Sequence, residues 1–392
     1  MRPVFRNIIF TGFATAFLVG APLVVLYTAG YRYNTVNGHI VRTGVLTVSS
    51  LPRGASVLIP NYSQDKKTPA IFSRIMPGNY ALTLNREAYH DWQANVTVES
   101  GRTTALGEIL LFHDLAPTLV AAKDLSDTTP SPDGTLLVGL VRGASAAAVW
   151  VMDLTDATST MITEYPAKPS DALQLSWSQG GSLITLANKT SGVSNIFTLN
   201  GAPVNDPVTA EASPFLLVKN NQAVELHDAR EAAQPLIGFL PLADYTVAEV
   251  DNNQVVLLGS DRSIYLVDVT AKNPILLSAK GTIYDFAPTV GLFAWSDGIE
   301  IHTFDLASQQ QTFITRQSKA IISVAWHASG RALIVSTNDD VRAFELSERK
   351  IVTSLLADAT IFSFWLNAAR DTGYFYGEYQ GTRGVFTLPI TK

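Results

Sequence analysis

The hexamer IYLVDV, residues 264–269, has the composition of a short buried strand that enters a turn: mostly β-branched and apolar residues, with an acid at the fifth position. Similar hexamers occur at six other places, namely VWVMDL at Val149, IFTLNG at Ile196, VELHDA at Val224, IHTFDL at Ile301, VRAFEL at Val341 and VFTLPI at Val385. Successive copies are separated by about 39 residues on average, and self-similarity at such a period is typical of a repeat architecture.

Other short apolar runs surround each hexamer. LQLSWS (173–178) and ISVAWH (322–327) each precede a copy, and PILLSA follows the copy that ends at Val269. Asp297 and Gly298 form a favoured two-residue hairpin turn before another copy. Four strands per repeat at this period predict a β-propeller of about seven four-stranded blades over residues 113–392. The uneven spacing around Ile196 and Val224 leaves six or eight blades open.

The two ends of the repeated region predict how it closes. The last repeat stops at Lys392 without a fourth strand, and the apolar run PTLVAA (117–122) stands alone before the first repeat. We expect that run to supply the missing strand, since an open sheet edge is a liability. The region resembles the WD40-like propellers of the TolB family, in the hexamer IYLVDV and in the turn formed by Ser131, Pro132, Asp133 and Gly134.

Residues 44–112 have a different pattern. VLTVSSLPRGASVLIP, from Val45, alternates apolar and other residues around a Pro-Arg-Gly turn, and IMPGNYALTL (75–84) repeats that arrangement. Short strands separated by Pro and Gly, with no helical period, predict a small β-sandwich.

This segment resembles the PEGA domain family of bacterial envelope proteins. The motif residues that carry the resemblance, in order, are Pro52, Gly54, Ala55, Thr68, Pro69, Pro77, Gly78 and Tyr80. Ala88 and Tyr89 stand where the family often has Gly-Tyr. The resemblance implies a surface or spacer module without chemistry of its own, so these residues are interpreted as structural, with glycines that supply turn conformations.

The N-terminal segment predicts export. Residues 8–29 contain no charged side chain, and as a helix they would extend roughly 33 Å, enough to cross a hydrocarbon core of about 30 Å. Arg2 and Arg6 place residues 1–7 in the cytoplasm, and residues 30–43 form a polar linker. The predicted location is a single-pass cell-membrane protein with most of the chain extracytoplasmic. A cleaved signal peptide and a buried helix are the alternatives.

Three small residues lie four apart on the predicted span. Gly12, Ala16 and Gly20 would share one helix face, a spacing that permits close helix pairing in lipid. Self-association through this face is therefore one possible partner interaction of the protein.

Composition argues against several classes of function. A net charge of −6 and a pI near 5.5 provide no basic footprint, so we expect no nucleic-acid partner. The chain has no cysteine, which excludes disulfides and thiolate metal sites. The six histidines are not at metal-ligand spacing, and no nucleophile elbow, phosphate loop or dinucleotide fingerprint occurs. We therefore predict no catalytic, cofactor-binding or metal site. The acids that end the hexamers are interpreted as turn caps, namely Asp153, Asp228, Asp268, Asp305 and Glu345.

These features favour a non-catalytic, membrane-anchored envelope protein whose propeller is a binding platform for a protein or a cell-wall polymer, because propeller loops commonly carry binding sites. An envelope sensor or assembly scaffold is the alternative. A hydrolase or lyase is a third possibility, and it requires acids or histidines that converge at the propeller axis.

Overall fold

The computed structural model describes residues 3–34, 38–60, 62, 66–178, 180–204, 214–251, 253–281, 283–287 and 290–391. Met1, Arg2 and Lys392 lie outside the described residues. The chain forms two compact units, Met1–Asp114 and Leu115–Lys392. An N-terminal helix is followed by strands and turns, which confirms the predicted all-β class with one apolar helix.

Helix α1 spans Pro3–Thr28 and begins five residues before the predicted span. Its segment Ile9–Thr28 has 20 residues, a mean hydropathy of 2.1 and no buried side chain. Pro22 lies within the helix. By length and composition this helix could cross a membrane, as an anchor or as part of a signal sequence.

The segment predicted as a polar linker contains a hairpin. Strands β1 (Tyr31–Asn34) and β2 (His39–Arg42) pair in antiparallel register, with Tyr33 opposite Ile40. Tyrosine and β-branched residues at alternating positions favour strands, and the overall polarity of the segment hid this pattern.

Two sheets form the rest of the first unit. The strands are β3 (Gly44–Leu51), β4 (Ser56–Leu58), β5 (Lys66–Lys67), β6 (Ala70–Ile75), β7 (Gly78–Asn85), β8 (Trp92–Val98) and β9 (Thr103–Leu110). One sheet has the order β6-β3-β9 and the other β5-β4-β7-β8. Strand β3 alternates buried and partly exposed residues, as predicted, and places Leu46 and Val48 in the core. Strands β3 and β9 pair in parallel.

Seven antiparallel sheets form the second unit. Sheet 1 contains β11 (Ser126–Pro130), β12 (Leu136–Arg142), β13 (Ala146–Asp153) and β14 (Thr158–Pro166). Sheet 2 contains β15 (Leu173–Trp177), β16 (Leu183–Asn188) and β17 (Val193–Thr198), and sheet 3 contains β18 (Phe215–Lys219), β19 (Val224–Asp228) and β20 (Leu236–Leu240). Sheet 4 contains β21 (Tyr245–Asp251), β22 (Gln254–Gly259), β23 (Ile264–Asp268) and β24 (Asn273–Ser278).

The remaining three sheets have four strands each. Sheet 5 contains β25 (Ile283–Ala287), β26 (Leu292–Ser296), β27 (Glu300–Asp305) and β28 (Gln310–Arg316), and sheet 6 contains β29 (Ile321–Trp326), β30 (Ala332–Thr337), β31 (Val341–Glu345) and β32 (Val352–Leu356). Sheet 7 contains β33 (Thr360–Leu366), β34 (Thr372–Tyr379), β35 (Thr382–Pro389) and β10 (Thr118–Ala121). Each of the seven sheets holds one of the seven hexamers. Sheets 2 and 3 have three strands among the described residues, where four were predicted.

Strand β10 completes sheet 7, as the run PTLVAA predicted. It pairs with β35 in antiparallel register, with Thr118 opposite Thr387 and Leu119 opposite Phe386. The start of the second unit is therefore hydrogen-bonded to its end, and β10 covers the edge that β35 would otherwise expose.

Apolar clusters join neighbouring sheets. Val149 and Leu186 belong to one cluster between sheets 1 and 2, and similar clusters lie between sheets 3 and 4, 4 and 5, and 5 and 6. A further cluster joins the last sheet to the first and contains Leu137 and Trp365. The Tyr376 hydroxyl reinforces this contact, since it accepts the Leu125 N–H at 2.8 Å and donates to the Leu125 carbonyl at 2.6 Å.

Candidate functional site

Five of the PEGA motif residues lie around one buried hydroxyl. The Oγ1 atom of Thr68, a residue that is only 3% exposed, accepts hydrogen bonds from the backbone N–H groups of Gly54 at 3.1 Å and Ala55 at 3.0 Å. Ser50 Oγ lies 2.6 Å from the same atom and 2.7 Å from the Pro52 carbonyl oxygen. Because Ser50 has one hydroxyl hydrogen and donates it to Pro52, the Thr68 hydroxyl donates to Ser50. Pro69 follows directly, and the Leu51–Pro52 and Thr68–Pro69 peptide bonds are both cis.

The remaining motif residues form a second turn. The Tyr80 hydroxyl donates to the Met76 carbonyl at 2.7 Å and so closes the chain around Pro77 and Gly78. Burial raises the pKa of Tyr80, which keeps this donor protonated. The structure therefore assigns these residues to turn geometry, and the two groups of motif residues hold different turns.

The small residues of α1 present an open face. Gly12 and Ala16 are exposed, Gly20 is partly exposed, and no heavy atom lies within 4 Å of the space that a Cβ atom would occupy at either glycine. This face therefore has room for a second helix to approach.

Four of the five hexamer acids cap turns, as predicted. Asp153 Oδ1 accepts the Thr155 N–H at 2.9 Å, and Asp268 Oδ1 accepts those of Thr270 and Ala271, both at 2.8 Å. Asp228 and Asp305 make the equivalent bonds. The backbone N–H groups of Ser308 and Ala307 lower the pKa of Asp305, so its carboxylate stays charged in this role.

His327 connects sheet 6 to the C-terminal end of the chain. It is 4% exposed, and its Nε2 atom lies 2.9 Å from Thr391 Oγ1. The backbone N–H of Ser329 points at Nδ1 at 3.1 Å, which makes Nδ1 an acceptor and places the ring hydrogen on Nε2. Burial lowers the pKa of His327 to about 4, although Asp371 opposes the shift. The ring is therefore neutral at physiological pH.

A groove of about 550 Å³ lies between sheets 5 and 6. Its floor is the apolar cluster of these sheets and includes Phe344 and Trp326, whose Nε1 is buried without a hydrogen-bond partner. Strand β28 forms one wall, and the turn from Ser347 to Lys350 contributes to the other. Because β28 is the outermost strand of its sheet, one side of its backbone is not paired within sheet 5.

The mouth of this groove is partly apolar. Phe313 is 52% exposed and Val352 is 48% exposed, and both line the groove. Asp305, Glu345 and Lys350 supply charged groups nearby. An apolar floor with a polar rim is the usual character of a ligand site, and the free strand edge suits an extended chain.

A second cavity, of about 410 Å³, is lined by residues from the first strands of sheets 5, 6 and 7 and by the turn Ser131–Gly134 of sheet 1. Arg370 and Asp285 lie in it as a two-point ion pair. Arg370 Nη2 is 3.0 Å from Asp285 Oδ1, and Nη1 donates to Oδ2. Arg370 also donates to the carbonyls of Trp326, at 3.1 Å, and Phe286, at 3.0 Å. Burial raises the pKa of Asp285, and the guanidinium opposes that shift.

Arg370 stands where other sheets have glycine. Gly134, Gly181 and Gly330 each lie two residues before a second strand, with φ of 69°, 67° and 65°, and each donates its N–H to the carbonyl three residues earlier. Arg370 occupies the same turn position in sheet 7, with φ of 55°. A side chain in this conformation costs about 1–2 kcal/mol relative to glycine. The ion pair compensates for that cost, because it joins sheets 5, 6 and 7.

The arrangement of acids in the cavity favours structure over chemistry. The backbone N–H of Trp326 donates to Asp285 Oδ2 at 2.6 Å. Together with the two bonds from Arg370, the carboxylate accepts three hydrogen bonds from the protein. Across the part of the chain that the structure describes, no group of three His, Cys, Asp or Glu residues is placed to hold a metal ion.

Sequence reasoning missed both the groove and the ion pair. The Arg370 turn has a positional signal, since LNAAR (366–370) stands between two apolar runs as WSQGG (177–181) and WHASG (326–330) do, and it ends in arginine where they end in glycine. The groove has no such signal, because it depends on which strand edges meet in space.

Comparison with known proteins identifies one segment of the chain. Residues 43–109 match the PEGA domain, in agreement with the resemblance seen in the motif residues. No curated protein matches the sequence. Among solved structures, a chain of the mitotic checkpoint complex crystal structure is similar to 71% of this chain over 94% of its own length, with 12% sequence identity and a TM-score of 0.45.

Proposed function

We propose that this is a non-catalytic, membrane-anchored envelope protein whose seven sheets form a closed β-propeller that serves as a binding platform. The observation that carries the proposal is the double junction between the two ends of the second unit. Strand β10 pairs with β35, and sheet 7 packs against sheet 1. Contact between the last sheet and the first is what a ring of seven sheets requires.

Two further observations support a ring. The cavity that contains Arg370 draws residues from the first strands of sheets 5 and 7, which are separated in sequence by sheet 6. The Ser131 carbonyl accepts the Gly134 N–H at 2.8 Å and so closes the first turn of sheet 1. This bond suits the TolB-like Ser-Pro-Asp-Gly turn. We infer that the first strands face a common axis and that the propeller is of the WD40-like, TolB type.

In the proposed topology α1 is an uncleaved anchor. Arg2 and Arg6 would keep the N-terminus in the cytoplasm, and the PEGA domain would be the first folded module outside the membrane. The partner is then an envelope protein or a cell-wall polymer.

The absence of cysteine allows a clean test of this topology. Ser260 is exposed, and Ser260→Cys would be the only thiol of the chain. In cells whose outer barrier is permeabilised but whose inner membrane is intact, we expect a membrane-impermeant maleimide to label this thiol without lysis of the inner membrane. Labelling only after lysis of the inner membrane would place the second unit in the cytoplasm and refute the proposal. Recovery of the full-length chain in the membrane fraction distinguishes an anchor from a cleaved signal.

The groove between sheets 5 and 6 is the proposed binding site, and its occupant is an extended polypeptide segment of a partner protein. Such a segment would pair with the free edge of β28 and place apolar side chains over Phe344. Phe313 and Val352 would lose their exposure to water on binding, which contributes about 25 cal/mol per Å² of apolar surface buried.

A photoreactive amino acid at Thr312, an exposed groove residue, tests this site in living cells. We expect a discrete protein adduct that Phe313→Asp abolishes. Phe239→Asp is the matched control, because Phe239 is 58% exposed on β20 and does not line the groove. Equal adducts from Thr312 and from a probe at Phe239 would show that the groove is not selective.

An assembly scaffold is the second candidate, and the open face of α1 favours it. If α1 pairs with a second copy, Gly12→Leu and Gly20→Leu would reduce crosslinked dimers in the membrane, whereas Val25→Leu, on the opposite face of the helix, would not. Unchanged dimers in the glycine variants would argue against this candidate.

A further inference from the structure

One face of the β1–β2 hairpin is apolar and uncovered. The register places Tyr31 opposite Arg42 and Tyr33 opposite Ile40, so these four side chains share one face. Tyr31 is 37% exposed, Tyr33 is 64% exposed and Ile40 is 60% exposed, and Arg42 is also exposed. We call this set of four residues the hairpin face. Three of the four residues on the opposite side are partly buried, namely Arg32, Asn34 and Val41.

The hairpin is held at the end of α1. The Gly30 carbonyl, two residues after the helix, accepts both the backbone N–H and the hydroxyl of Thr43 at 2.9 Å. Arg32 Nη1 donates to the Tyr27 carbonyl at 2.8 Å, and its guanidinium lies 3.6 Å from the centre of the Tyr27 ring. These contacts fix both ends of the hairpin near the last turn of the helix.

Chain length then determines where the hairpin face lies. Ile9–Thr28 has 20 residues, which corresponds to about 30 Å of helix, the thickness of the hydrocarbon core. The headgroup layer beyond the core is roughly 5–8 Å thick on each side. Tyr31 follows Thr28 by three residues, and three extended residues span at most about 10 Å. A hairpin tied to this helix end cannot lie far from the headgroup layer.

The composition of the hairpin face suits that layer. Tyrosine is enriched at membrane interfaces, because its ring is apolar and its hydroxyl is polar. Ile40 adds apolar surface, and the exposed Arg42 side chain, which lies beside Gly101, supplies a positive charge that suits lipid phosphate. Tyr27, which is 58% exposed at the end of the helix, continues the same aromatic layer.

We propose that the hairpin face binds the lipid headgroup layer of the bilayer that α1 crosses and holds the PEGA domain against the membrane surface. The inference rests on α1 being an uncleaved anchor. It goes beyond the proposed function because it assigns a second membrane contact to a segment outside the span and the PEGA match.

Nitroxide labels on single cysteines in the full-length protein, reconstituted in phospholipid nanodiscs, test this contact. The labelled variants are Tyr33→Cys and Ile40→Cys. Val24→Cys is the lipid reference, because Val24 is 62% exposed within α1. Ile71→Cys is the water reference, because Ile71 is as exposed as Ile40, at 60%, but lies on β6. Collision rates with oxygen, which partitions into lipid, and with a water-soluble nickel complex are measured at each site.

We expect the oxygen-to-nickel ratio at positions 33 and 40 to exceed that at 71 several-fold and to lie below that at 24, because the headgroup layer lies between water and the hydrocarbon core. Adding Tyr33→Asp should lower the ratio at position 40, whereas Ile71→Asp should leave it unchanged. A ratio at 33 and 40 equal to that at 71, with 24 still in lipid, overturns the inference and leaves the anchor intact.

Two other outcomes also overturn the inference. Low collision rates with both reagents at 33 and 40 would show that a protein surface covers the hairpin face. A water-like ratio at position 24, or loss of the N-terminal segment, would show that α1 is not an anchor, and the proposed membrane attachment would fail with it.

Discussion

The two units of this protein close in different ways. In the first, β3 and β9 bring the start and end of the PEGA domain together in parallel, from Val45 beside Thr103 to Leu51 beside Leu110. In the second, β10 and β35 join the ends in antiparallel register. In the PEGA domain the last strand, β9, returns to the first, β3, whereas in the second unit the first strand, β10, covers the edge of the last strand, β35.

Two polar networks, one in each unit, differ in the sequence separation of the residues that they join. In the PEGA domain the Thr68 hydroxyl joins residues at most 18 positions apart, from Ser50 to Thr68. In the second unit the Arg370–Asp285 pair spans 85 positions and three sheets. The comparison indicates that the Thr68 turn depends on contacts that are local in sequence, whereas the Arg370–Asp285 pair holds three sheets of the second unit together.

Loss of the long-range contact should have the largest effect. Arg370→Ala leaves the partly buried Asp285 carboxylate without its ionic partner, and we expect about 3 kcal/mol of destabilisation of the second unit. Denaturant unfolding can be followed in that unit alone, because Trp92 is the only tryptophan of the first unit and can be replaced by phenylalanine.

Two variants control this prediction. Arg370→Gly removes the same charge but relieves the positive φ, so it should be less damaging than Arg370→Ala by about 1 kcal/mol. Lys319→Ala breaks the exposed pair with Asp339 and should leave the unfolding midpoint almost unchanged. Equal unfolding midpoints for Arg370→Ala and Lys319→Ala would show that the Arg370–Asp285 pair does not stabilise the second unit.

The second prediction concerns pH. The folded protein holds His327 neutral with a pKa of about 4, against 6.5 for an unperturbed histidine. The unfolded chain therefore binds the extra proton first, and this contribution to stability is full above pH 6.5 and is lost as pH falls toward 4. We expect a loss of about 2 kcal/mol at pH 5 and about 3 kcal/mol at pH 4.

His327→Gln isolates this effect from the titration of carboxylates. The stability difference between the native protein and the variant should shrink by those amounts between pH 7 and 4 in unfolding experiments. A difference that stays constant over this range would mean that His327 is not buried against Thr391.

The third prediction tests the local network of the PEGA domain. Thr68→Val keeps the shape of the side chain but removes the hydroxyl that accepts the Ala55 N–H, whereas the Gly54 N–H keeps the Thr68 carbonyl at 2.8 Å. We expect about 2 kcal/mol of destabilisation, read from Trp92 fluorescence. Thr68→Ser keeps the hydroxyl and should lose about half as much. If both variants lose the same amount, the methyl group rather than the hydroxyl stabilises the turn.

The smallest effect is expected at Ala88, whose φ is 64°. Glycine adopts this conformation without steric cost, so Ala88→Gly should stabilise the first unit by about 0.5 kcal/mol after its larger loss of chain entropy. Ala94→Gly, within strand β8, should instead destabilise it by a similar amount. Thermal unfolding of the two variants measures the contrast, and equal shifts would show that the turn is not strained.

Local pattern determined much of this structure. The recurring hexamer identified one strand in each sheet, because alternation of buried and exposed residues follows directly from strand geometry. The isolated run PTLVAA predicted β10, since a strand without a repeat of its own must pair elsewhere. The PEGA motif located the Thr68 turn, whose contacts are close in sequence. Polarity hid the strand pattern at residues 30–43, where the segment interpreted as a linker contains the β1–β2 hairpin.

Tertiary structure decided the candidate sites. Asp285 and Arg370 are far apart in the chain, and nothing in either neighbourhood shows that they meet. The groove likewise forms from the edge of sheet 5 and the turn of sheet 6, and the hairpin face from the register of two strands. Sequence periodicity reports which residues of one strand share a face, whereas the distance between strands depends on packing across the whole unit.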